Sequence, residues 1–120
     1  MLAHYRSLLD DAWRHRRAQD LPACMDLLSE LKVDLSLPYT RLQQASIPQI
    51  LEPAIHRQPP ELLAIAIDTL ILWASLLRGQ KELPVAKNLL SFVESVMGQV
   101  PHGERWAVIA KIFLHLRYRR

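Results

Sequence analysis

Apolar side chains return every three or four residues along almost the whole chain, and no apolar–polar alternation lasts a strand's length without also fitting helical spacing. The pattern predicts an all-α protein. Leu2, Tyr5, Leu8, Leu9, Ala12 and Trp13 mark a first helix from Leu2 to about Ala18. Its other side is charged, with Arg6 four residues before Asp10 and Asp10 four before Arg14, the spacing at which side chains pair across one turn. Asp20 suits an N-cap and Pro22 a first turn that needs no amide donors, so Cys24, Leu27, Leu28 and Leu31 become the buried stripe of a second helix ending near Lys32 to Asp34. Pro38, Pro48, Pro53, Pro59 and Pro60 then predict two short helices, 38–45 and 47–57, the second bent or broken at Pro53.

The next helix, Pro60 to Arg78 and closed by Gly79, is apolar on nearly every side. Glu61, Asp68 and Ser75 fall seven apart on it as one narrow polar seam, which is expected to face water, since a carboxylate in so apolar a setting is costly unless solvated or paired. The run from Leu62 to Leu77 is shorter than the roughly 20 residues that cross a bilayer. It reads as a central soluble helix with apolar surface left for a partner or a second copy, so Leu72, Trp73, Leu76 and, on the following helix, Phe92 are the candidate partner-binding residues. That following helix, about Pro84 to Met97 and ending at Gly98, buries Val85, Ala86, Leu89, Leu90, Val93 and Val96, with Phe92 at the margin. A last helix, 103–118, carries Trp106, Ile109, Ala110, Phe113 and Leu116 on one face.

Two of these segments are copies. Asp20-Leu21-Pro22-Ala23-Cys24-Met25-Asp26-Leu27-Leu28-Ser29 returns as Glu82-Leu83-Pro84-Val85-Ala86-Lys87-Asn88-Leu89-Leu90-Ser91, an offset of 62 residues that also brings Leu8 onto Leu70 and Ala12 onto Ala74. Each unit is two helices, with small residues where antiparallel helices approach closely and larger ones where they diverge. The small residue of the first helix, the turn, the acid-Leu-Pro opening and the second small residue at Cys24 or Ala86 resemble a tetratricopeptide hairpin over residues 2–34 and 64–97. The family's turn glycine is replaced by Gln19 and by Lys81, and its second-helix aromatic by Leu28 and Leu90. The resemblance implies a right-handed stack or bundle of about six helices in a single domain (hairpins 2–34 and 60–98, short helices in 35–59, last helix 103–118), and a protein-binding adaptor without catalytic residues.

Composition agrees with that frame. With 120 residues, half of them hydrophobic, the chain can bury a core of its own, and three Gly leave no room for a phosphate-cradling loop. No zinc-protease, paired-cysteine or nucleophile-elbow pattern occurs. Asp10 and Asp11 with His15 could share a helix face as ligands, but an exposed, salt-bridged face is the better reading. His4, His56, His102 and His115 have no ligand partner at suitable spacing. A lone cysteine, Cys24 on an apolar face, and a start without signal-peptide features lead us to expect a reducing, cytoplasmic setting with Cys24 as a packed thiol.

Charge supplies the alternative. Residues 1–17 and 104–120 hold nine of the 15 Lys/Arg against three acids. The clusters Arg14, Arg16, Arg17 and Arg117, Arg119, Arg120 could together grip a phosphate backbone, although basic residues at helix C-termini also complement the helix dipole. The sequence therefore points first to a non-catalytic helical scaffold that binds a protein or its own copy. The second reading is a basic helical subunit that binds nucleic acid within a larger complex. No metal, cofactor, membrane or small-molecule substrate is expected.

Overall fold

The structure is a computed structural model and describes residues 2–38 and 47–99. Among these it forms five α-helices and no strand: α1 (Leu2–Arg17), α2 (Leu21–Asp34), α3 (Ile47–His56), α4 (Pro60–Gly79) and α5 (Leu83–Val96), the last followed by a 3-10 turn, Met97–Gln99. The short helix expected at 38–45 and the last helix at 103–118 fall outside the described residues, apart from Pro38. α1 packs on α2 and α4 on α5 as two antiparallel hairpins, and α4 is set between α1, α2, α3 and α5.

The sequence copy is also a structural copy. At the first turn Ala18, Gln19 and Asp20 donate their amides to the carbonyls of Arg14, Arg16 and His15; at the second, Gln80, Lys81 and Glu82 donate to those of Leu76, Arg78 and Leu77, the same three bonds shifted by 62. Gln19 and Lys81 both take a left-handed backbone, φ 60° and 65°. At both places a glycine would be free of the Cβ penalty. Next comes the capping residue, with φ, ψ of −85°, 76° at Asp20 and −89°, 62° at Glu82. Here the shorter side chain matters: the Asp20 carboxylate accepts from the Ala23 amide, whereas Glu82 makes no such cap.

α4 is the centre of the core. Every residue from Leu63 to Leu77 is buried, so the apolar surface that suggested a second subunit is covered by the chain itself. The helix is 20 residues long, with mean hydropathy 1.7 over its most apolar window, enough by length and composition alone to cross a membrane, yet 83% of that window is buried within the protein. Gly79 does not close it by a left-handed turn, since no glycine among the described residues has positive φ. Instead Gly79 lies beside Arg16, where a Cβ would sit 3.4 Å from the guanidinium, and the turn is made two residues later at Lys81.

α3 runs unbroken through Pro53. The proline is on the exposed side of the helix, where the Gln49 carbonyl that loses its donor is one water can reach, while Leu51, Ala54 and Ile55 face inward. The chain leaving α2 is fixed in turn. Ser36 is left-handed at φ 56°, Leu37 donates to the Lys32 carbonyl at 2.8 Å, and the Gln58 amide donates to the Leu35 carbonyl at 2.7 Å.

Candidate functional site

The polar seam of α4 does not meet water as expected. Asp68 is 2% exposed, accepts from Trp13 Nε1 at 2.9 Å, and is 3.4 Å from Arg6 Nη1. Ser75, also buried, accepts from Arg16 Nε at 3.1 Å through its hydroxyl, and its carbonyl accepts from Arg16 Nη2 at 3.4 Å. Only Glu61, at the helix start, is exposed. The reason lies in the copy: α1 and α4 run side by side in the same direction, so the basic positions of α1 meet the acid and hydroxyl of α4. Arg6 thus leaves Asp10 for Asp68, and Arg14 pairs with Asp11 rather than Asp10.

This arrangement changes both candidate surfaces. Leu72, Trp73, Leu76 and Phe92 are all buried, and the Trp73 ring is covered by Lys32, whose ammonium stands 4.0 Å from the ring centroid. Burial holds the Lys32 pKa below its usual value. Of the basic cluster on α1, Arg14 and Arg17 are exposed, while Arg16 is taken up by α4. Arg117, Arg119 and Arg120 lie outside the described residues.

The open apolar surface is elsewhere, on the outer side of the second hairpin. Arg78, Leu83, Ala86, Lys87 and Leu90 line a largely apolar groove of about 220 Å³. Its floor is Ala86 with half-buried Leu90, and Leu83, 56% exposed, stands at its mouth. Arg78 and the exposed Lys87 bring two cations to it. Helical spacing puts Leu90 in the buried stripe and Phe92 at its margin; the helix turns the other way, burying Phe92 and bringing Leu90 partly out. The signal for this groove was the offset itself, which aligns Lys87 with Met25 and shows a charge where the first unit is apolar.

Three polar features lie apart from the groove. Cys24 is fully buried, and its thiol is pushed up from 9.0 to about 11, by burial first, with Arg16 lowering and Asp20 raising it; near neutral pH it is an inert thiol. Asp11 and His15 do not form a ligand pair, because Asp11 holds Arg14 and His15 Nδ1 lies 3.5 Å from Asp20. The hairpin instead brings His4 from the start of α1 to Glu30 and Asp34 near the end of α2, their ligand atoms within 4.8 Å of one another. All three are exposed, and an imidazole with two carboxylates is a donor set suited to a borderline divalent ion. The spacing of Glu30 and Asp34, one helical turn, was the legible half of that grouping; the antiparallel return that adds His4 was not.

No family model, curated protein or solved structure matches the chain.

Proposed function

We infer that this chain is a non-catalytic, tetratricopeptide-like scaffold that binds another protein. One observation carries the reading: the positions of the first hairpin that α4 packs against are repeated on the second hairpin, where, among the described residues, Arg78, Leu83, Ala86, Lys87 and Leu90 line an apolar groove. Units of this kind bury their apolar faces by stacking on a neighbour, and an exposed stacking face is an unsatisfied one. The shared turn geometry, the small residues Ala12, Ala74, Cys24 and Ala86 between the helices, and the placing of α4 against both α1 and α2 support the family reading.

The test is to cross-link the protein in its native host with an amine-reactive reagent and to identify the products. One polypeptide joined in fixed stoichiometry through Lys81 or Lys87 is the expected result. Nucleic acid in place of a polypeptide, or recovery of the chain alone, overturns the reading.

A further inference from the structure

Sequence spacing gives His4 no ligand partner, but the antiparallel return of the first hairpin brings it to Glu30 and Asp34, one ligand atom of each within 4.8 Å of the others. One nitrogen and two oxygens converge from two helices. An ion bound at roughly 2.0–2.2 Å holds its ligand atoms about 3.4 Å apart in a tetrahedron, so these three exposed side chains need close by only about an ångström.

The two carboxylates are badly placed without a cation. Asp34 ends α2 and Glu30 lies one turn before it, so like charges face each other across a turn and both stand near the negative end of the helix dipole. Among the described residues neither is in an ion pair. The second hairpin closes the same end differently: 62 residues on, the counterparts of His4, Glu30 and Asp34 are Ala66, Phe92 and Val96, all buried. The first hairpin has ligands where the second has core.

We propose that His4, Glu30 and Asp34 bind one divalent transition ion of the zinc class, with water completing a four-coordinate shell, and that the ion ties the start of α1 to the end of α2. A nitrogen among only three protein donors favours such an ion over magnesium or calcium, which take six or more ligands, nearly all oxygen. The site shares no residue with the groove and goes beyond the scaffold reading.

The test is zinc titrated into the tag-free, metal-stripped full chain against a chromogenic chelator, with thermal unfolding followed with and without the ion. One zinc per chain and a raised unfolding midpoint are expected, and cobalt in its place should give the strong visible band of a four-coordinate ion. His4→Ala, Glu30→Gln and Asp34→Asn should each weaken zinc by at least the roughly tenfold that loss of an outer-shell partner costs. His15 and His56 each face a single carboxylate, of Asp20 and of Glu52, so His15→Gln and His56→Gln should leave binding within about twofold. Without the ion, Asp34→Asn should unfold at the parent's midpoint or above it, because a like charge is gone; with zinc it should unfold below the parent. That reversal separates a lost ligand from a damaged fold. The proposal is overturned by no binding, by displacement of zinc by millimolar magnesium, or by zinc that binds without raising the midpoint. Losses that follow His15 or His56 instead would mark an adventitious ion only, and overturn it as well.

Discussion

The two hairpins share a turn and differ in a neighbour. Their turns agree bond for bond, from the amides of Ala18, Gln19 and Asp20 to those of Gln80, Lys81 and Glu82, because a local backbone problem has one local solution. Their outer faces share positions but not environment: Leu28 is buried while Leu90 is half out, and Leu21 is half-buried while Leu83 is exposed. Exposure here belongs to the order of stacking rather than to the residue. The first hairpin is followed by α4, and the second leaves the equivalent surface open among the described residues.

The largest expected effect sets those faces against each other. Leu28→Ala should lower the unfolding free energy by about 3 kcal/mol, through lost burial and the cavity left behind, while Leu90→Ala should cost about 1 kcal/mol, because the groove already exposes part of that side chain. Urea titrations of the two variants measure the difference. Equal losses would mean that the second face is covered after all.

Next comes the pair of positions 6 and 68, counterparts in the copy that carry opposite charges and touch each other. Asp68→Ala strands the buried Trp13 indole N–H and should cost about 2–3 kcal/mol, whereas Arg6→Ala removes a half-exposed partner and should cost about 1 kcal/mol or less. Asp68→Asn should fall between, since its amide oxygen still accepts from the indole. An Arg6→Ala loss as large as that of Asp68→Ala would show the ion pair, not the indole bond, to be the tie between the hairpins.

Which parts of this were legible follows from how far apart the interacting residues lie. Helical periodicity marked all five α-helices, and the boundaries of α2 and α4 came within a residue or two, because caps and prolines act locally. The offset of 62 marked both turns before any geometry was known. The fate of Asp68 and of Trp73 was not legible, since each depends on a side chain from the other hairpin, Trp13 in one case and Lys32 in the other. A periodic pattern says which face of a helix is apolar; it does not say which helix will cover it, and so Leu72, Trp73, Leu76 and Phe92 read as a surface in the sequence and are buried in the fold.

A third expectation uses the substitution of Cys24 by Ala86 in the copy. The folded thiol titrates near 11 against 9.0 when free, so the folded state binds more protons between those values. Its stabilising share is whole below about pH 9 and is lost as pH rises through 11, on the order of 2 kcal/mol. Lys32 acts with the opposite sign: its lowered folded pKa makes the unfolded state the better proton binder just below 10.5, so stability rises with pH there. Cys24→Ala should therefore flatten the alkaline fall in stability, and Lys32→Met should steepen it. Denaturation midpoints at pH 8 and pH 10.5 distinguish the two, and a Cys24→Ala profile parallel to the parent would show that the thiol is not held neutral by burial.

The smallest effect tests the half of the comparison where the hairpins should be alike. Gln19 and Lys81 hold φ of 60° and 65°, a region that costs a residue with a Cβ roughly 1–2 kcal/mol, while glycine enters it freely but gives up more backbone entropy on folding. Each of Gln19→Gly and Lys81→Gly should then raise stability by about 0.5–1 kcal/mol, by nearly the same amount, because the three amide bonds and the cap angles around them are the same. Thermal unfolding of the two single variants and the double variant checks both equality and additivity, the sites being in separate turns. A gain at one turn and a loss at the other would mean that the two turns are held differently, and the copy would then be one of sequence rather than of backbone strain.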